Sequence, residues 1–205
     1  MKKCLLLLFI LIISFQSYSQ EAITLKKGYI GISLGPSFFN GSSLENTFQN
    51  QGALISPTDP TITQGQVGFN ISMIDAGYSF TENWGAVFKL QGGNYVGKSD
   101  GKVLKFTYGT VLIGPMYSIQ VLDNMVLDMK IKGGRFFNVL SFNDDLDNSF
   151  AKSDFNFGME AGVTLRYHLS PQFSWINNLE SQQQFSAKDE KLNLFNVSTG
   201  IAFRF

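Results

Sequence analysis

The stretch LNLFNVSTGIAFRF, Leu192–Phe205, decides how the rest of the chain is read. Every second residue gives Phe195, Val197, Thr199, Ile201, Phe203 and Phe205 on one face, and Leu194, Asn196, Ser198, Gly200, Ala202 and Arg204 on the other. Period-two alternation between an apolar side and a small or polar side is the pattern of a β-strand between two unlike environments.

Working outward, the same period recurs along the chain. It predicts strands over Gly28–Phe39, Gly65–Phe80, Trp84–Tyr95, Val103–Gln120, Met125–Val139, Ser153–Leu169 and Phe173–Phe185, which with Leu192–Phe205 makes eight. In the second strand the apolar set changes phase between Met73 and Ile74, as at a β-bulge, and a similar slip is expected near Val111–Ile113. Three connections are tight: Thr81-Glu82-Asn83, Leu122-Asp123-Asn124 and Ser170-Pro171-Gln172. Two others, Asn40–Gln64 and Leu140–Lys152, are long, and Ser186–Lys191 leads into the closing strand. A tyrosine (Tyr78, Tyr117, Tyr167) precedes each tight turn, and the only two tryptophans, Trp84 and Trp175, follow one. Amphipathic aromatics collected at one end suit the headgroup level of a membrane.

Composition points the same way. Of 205 residues only 16% are charged, the net charge is zero, and Gly and Phe number 20 each. Nothing steers such a chain toward nucleic acid. A soluble barrel with its apolar face around a cavity shares the periodicity, but its water-facing side would be rich in Lys and Glu. Here that side is mostly Gly, Ser, Asn and Gln, which fits a crowded lumen inside a lipid-facing exterior. Closure into a barrel leaves no unpaired backbone group in hydrocarbon. At the amino terminus Lys2 and Lys3, the apolar run Leu5–Ile13 and Ser17-Tyr18-Ser19 read as an export signal over residues 1–19, leaving 20–205 as the barrel domain. Cys4 falls inside the signal, so no lipid attachment, disulfide or cysteine metal site is expected in the mature chain.

The segments GPSF (Gly35–Phe38) and IGPMY (Ile113–Tyr117), the tyrosine-marked turns and the closing strand ending in Phe205 resemble the small porin-like outer-membrane barrels of the outer-membrane-protein A and X kind. The expected fold is thus an all-β, eight-stranded antiparallel transmembrane β-barrel, an up-and-down meander. The resemblance implies residence in the outer membrane of a Gram-negative-type bacterium, contact with outer-membrane lipid, and reading of the closing strand by the barrel assembly machinery. A monomer with no cofactor, metal or catalytic set is expected. Its function is expected to be non-enzymatic, in envelope structure or surface interaction through the external loops, with a narrow porin-like channel or a lipid A-modifying enzyme as alternatives.

Three constellations carry chemistry. Asp75, Lys89, Lys105, Asp128, Lys130, Lys132, Glu160, Arg166, Glu180 and Arg204 alternate onto the inner face, where an eight-stranded interior is just wide enough to be filled by side chains. Paired charges that plug the lumen are favoured there over a conducting path. If Thr81–Asn83 is the turn, Asp75 stands opposite Lys89, within ion-pair reach. His168-Leu169-Ser170 with Glu180 is similar to the His-x-Ser and downstream Glu of outer-membrane lipid A deacylases, but Ser170-Pro171 also reads as ordinary turn chemistry. Asn143–Asn148, with Asp144, Asp145 and Asp147, offers oxygens to a hard cation but lacks the glycine and terminal glutamate of an EF-hand loop, and reads as a solvated acidic loop.

Overall fold

The computed structural model describes residues 27–40, 66–99, 102–142, 149–152, 156–185 and 191–205. The strands are β1 Gly28–Phe39, β2 Val67–Ser79, β3 Trp84–Ser99, β4 Lys102–Leu122, β5 Met125–Phe142, β6 Ser149–Lys152, β7 Asn156–His168, β8 Phe173–Phe185 and β9 Lys191–Arg204. Each long strand pairs antiparallel with its neighbours in the chain, and β9 pairs with β1, so eight of them form a closed meander barrel. The short β6 lies against β5 beyond the point where β7 stops pairing, with Val139 opposite Lys152. The expected signal segment and most of Asn40–Gln64 lie outside the described residues.

The seam is laddered at both ends and interrupted only at Gly35-Pro36, where the proline has no N–H to donate. Tyr29 pairs with Arg204 and Ile32 with Ile201, and beyond the strand end Gly28 and Phe205 exchange both backbone hydrogen bonds at 3.0 Å. At the turn rim Ser118 N donates to Asn83 O at 2.7 Å, and Arg204 N to Gln172 O at 2.7 Å. Turn residues thereby carry the ladder past the strand ends.

Side-chain alternation decides which face is which. Ile32 and Ile113 are 64% exposed on the outside, whereas Asp75 and Glu180 are 1% exposed on the inside. The apolar face therefore points outward, the opposite of a cavity-lining arrangement. Trp84 and Trp175 are exposed at the turn end; Trp84 meets Tyr117 edge-on with ring centroids 5.0 Å apart, and Trp175 pairs with Tyr167. This is the aromatic belt expected where a barrel crosses a headgroup layer.

The bulge in β2 falls where the phase change predicts. Ser72 pairs with Gln91 and Ile74 with Leu90, so Met73 is the extra residue. The slip expected near Val111–Ile113 does not occur: β3–β4 pairing runs unbroken from Trp84–Tyr117 to Ser99–Lys102. The β4 irregularity lies instead between Gln120 and Leu122, beside the Asp123-Asn124 turn. Phe106, Tyr108, Leu112 and Met116 are all buried inward, so apolar residues occupy both faces of β4 and imitate a change of phase. The Leu140–Lys152 connection is also shorter than expected, because Leu140–Phe142 belongs to β5 and Ser149–Lys152 is β6.

Glycines on the inner face make room for rings. Tyr29 lies across its partner Gly77, where an added Cβ would fall 2.4 Å from the ring, and Tyr108 lies likewise across Gly93, at 2.5 Å. An aromatic ring laid over a strand glycine covers the backbone that the glycine exposes. Gly77→Val is therefore expected to lower thermal stability by about 1–3 kcal/mol through overpacking, read as a fall in the temperature at which the folded gel band disappears. Adding Tyr29→Ala should recover part of the loss. A Gly77→Val protein as heat-resistant as the parent would contradict this packing.

Candidate functional site

Among the described residues the lumen holds five cations and four carboxylates: Lys89, Lys130, Lys132, Arg166 and Arg204 against Asp75, Asp128, Glu160 and Glu180, all buried. Lys105, expected among them, is on the outward parity of β4 and half-buried, a misplacement that follows from the phase slip that does not exist.

Eight of these nine charges fall into two groups, and Arg204 lines the cavity at the turn end. Toward the turn end, Asp128 receives Arg166 Nε at 2.6 Å, Arg166 Nη2 at 2.8 Å and the Ser118 hydroxyl at 2.7 Å. Farther up, Lys89 and Lys132 each reach both Glu160 and Glu180; Lys132 lies 2.9 Å from Glu180, and Lys89 lies 3.9 Å from Glu160 while pairing closely with Glu180. Lys130 joins this group through Asp75 at 3.3 Å. The ring of Tyr29 stands between the two groups, with the Arg166 guanidinium 4.8 Å and the Lys130 ammonium 5.3 Å from its centroid.

Asp75 and Lys89 are direct ladder partners, as the turn assignment predicts. Their ion pairs nonetheless run elsewhere: Lys89 crosses the lumen to β7 and β8, and Asp75 is met by Lys130 from β5. In so narrow a barrel the opposite wall is as near as the adjacent strand.

Neutral groups complete the network. Asn178 donates to Asp75 at 3.3 Å and accepts from Thr164 at 2.6 Å, and Gln182 binds Glu160. Above the carboxylates, Ser37 links Tyr95, Tyr108 and Asn196, the two tyrosine rings stack at 6.1 Å, and Phe39 meets Tyr95 edge-on at 6.0 Å. Sequence reasoning did not single out this aromatic cap, although Tyr95 shares the inward parity of Lys89 and Gln91 and could have been found from it. Lys89, Asp128 and Glu160 have no solvent exposure at all, so the lumen is filled at their level.

At the turn end a cavity of about 720 Å³ is lined by Lys27, Asn83, Ser118, Arg166, His168 and Arg204 among others. Arg166, the partner of Asp128, belongs to that lining. The triplet weighed for nucleophilic chemistry is not assembled. His168 Nδ1 contacts Ser174 Oγ at 2.9 Å, Ser170 Oγ accepts the backbone N–H of Gln172 and Phe173 at 3.3 and 3.0 Å within its turn, and Glu180 belongs to the lysine group. Asn143–Asn148 lies outside the described residues, and among those residues no cluster suited to a metal ion occurs.

No family model matches the chain, and no curated protein sequence does. Solved structures do. Neisserial surface protein A is similar with a TM-score of 0.60 and 13% identity, over 87% of this chain and 97% of that one. A major outer membrane protein from Thermus thermophilus has a TM-score of 0.52 and 13% identity, over 87% and 99%. Ail, the attachment invasion locus protein of Yersinia pestis, in complex with the heparin analogue sucrose octasulfate, has a TM-score of 0.50 and 16% identity, over 87% and 99%. The chain thus has the fold of the small eight-stranded outer-membrane β-barrels.

Removing one member of a buried pair strands the other, at a cost of about 3–5 kcal/mol. Lys89→Met and Glu180→Gln should each destabilise the barrel on that scale, and the double variant should lose clearly less than the sum. The coupling between Lys89 and Asp75 should be smaller. Coupling to Asp75 as large as that to Glu180, in a thermal or urea unfolding cycle, would contradict the cross-lumen pairing.

Proposed function

We propose that the protein is exported by its first 19 residues, inserted in the outer membrane of a Gram-negative-type bacterium, and serves there without catalysis. Its role is envelope structure or surface interaction, exerted through the connections within Asn40–Gln64 and around Asn143–Asn148 on the loop end. The observation that carries this reading is the filled lumen. Ion pairs and an aromatic cap occupy the space a solute would need, and the residues that resemble a nucleophile, base and acid are held apart by other partners. With the interior committed to structure, variation in function belongs to the loops, as is general for rigid scaffolds.

The ladder between Gly28 and Phe205 supports a role for the closing strand in assembly, since its last residue completes the seam. The barrel assembly machinery is the partner proposed for that step, and surrounding lipid the partner of the outer face.

Planar-bilayer recording on the purified, refolded protein tests the plug against a channel. The expected result is a baseline without resolvable single-channel steps. Stable, reproducible conductance steps that disappear in a Lys89→Trp variant would overturn the structural reading in favour of a narrow pore.

A further inference from the structure

On the outside of the barrel β8 departs from the other strands. Its outward positions between Trp175 and Phe185 are Asn177, Leu179, Ser181 and Gln183, three of them polar. Their ladder partners on β7 are Leu165, Val163, Ala161 and Met159, none of them polar. On the other side β9 adds Thr199 opposite Asn177 and Asn193 opposite Gln183. The outward face of β1, next to β9, is again wholly apolar, from Ile30 through Ile32, Leu34 and Pro36 to Phe38.

Part of this stripe satisfies itself. Trp175 Nε1 donates to Thr199 Oγ1 at 2.6 Å, and Thr199 Oγ1 donates to Asn177 Oδ1 at 3.0 Å. That leaves the Asn177 amide N–H groups, the Ser181 hydroxyl and the Gln183 amide with no side-chain hydrogen bond among the described residues. The ends of the stripe are bounded by Trp175 in the lower aromatic belt and by Phe185 above, so these groups face the depth where hydrocarbon offers no partner.

We propose that this β8–β9 stripe is the interface of a homodimer within the membrane, in place of the monomer expected from the sequence, a reading that rests on the outward face being lipid-facing. The chemistry favours a second copy over other occupants. The stripe carries no charge, so neither a lipid headgroup nor an acidic or basic partner matches it. Amides and hydroxyls both donate and accept, so an identical stripe brought up by a two-fold axis along the membrane normal complements it. On the β7–β8 side the paired Ala161 and Ser181 are small and leave room for close approach, while Phe195, opposite Ser181 on β9, forms the other edge of that contact.

The test is oxidative cross-linking in native outer membranes, using Ser181→Cys in a Cys4→Ser background so that no other thiol is present. Phe88→Cys, on β3 across the barrel, is the control. Dimer formed at Ser181→Cys several-fold more than at Phe88→Cys, and lowered when Asn177→Leu and Gln183→Leu are added, is the expected result. Monomer only, or equal yields at both positions, would overturn the interface. Labelling of the folded protein with a water-soluble maleimide separates the two readings. Protection of both cysteines without cross-links sinks the dimer alone, whereas labelling of both shows that the face is wet and sinks the membrane reading with it.

Discussion

Closure of the sheet at the β1–β9 seam is the constraint on which the rest depends. Inside hydrocarbon a strand edge has nothing to bond, so the first and last strands must find each other. Gly28 and Phe205 finish that ladder, and the turn-rim bonds from Asn83 and Gln172 extend it to the barrel's end. With only eight strands, closure also forces a narrow interior. Gly77 and Gly93 yield space to Tyr29 and Tyr108, and the charged side chains of the two ion-pair groups are held in contact with one another.

That narrowness explains the pattern of charge. A lysine in a wide lumen would meet water or its ladder neighbour; here Lys132 does meet its ladder neighbour Glu160, but Lys89 reaches carboxylates across the axis on β7 and β8, and Lys130 reaches Asp75 on β2. Several cross-axis pairs tie opposite walls together. Each pair contributes little net stability relative to a packed apolar core, since burying the charges costs about as much as pairing them returns. What the arrangement secures is an interior filled above the turn-end cavity, in which none of the paired charges can be removed cheaply.

Much of this was legible in the sequence, because period two sorts side chains reliably when the two faces differ. The β1 and β8 limits, the Met73 bulge and the Asp75–Lys89 register all followed from alternation and turn placement. Alternation fails where both faces are apolar, as in β4, and there it produced a false slip and carried Lys105 inward. It also gave no sign of β6, four residues whose pairing depends on the length of β5. The membership of the lumenal cluster was readable, but its partners were not. Which side chains meet across a barrel depends on strand tilt and stagger, and a linear sequence does not display them. The turn reading of Ser170-Pro171 and the lumenal place of Glu180, by contrast, were both legible, and the partners of His168, Ser170 and Glu180 accord with them.

Closure, plug and aromatic belt all presuppose an outward face that lies in lipid. Trp84 and Trp175, the only tryptophans, both sit exposed at the turn end, so their fluorescence reports one depth. Reconstituted into bilayers whose acyl chains carry bromine at different positions, both should be quenched most strongly by bromine near the headgroups and weakly by bromine at the chain ends. Quenching by aqueous iodide with no response to any brominated lipid would show a barrel whose apolar side meets no membrane, and would contradict the account.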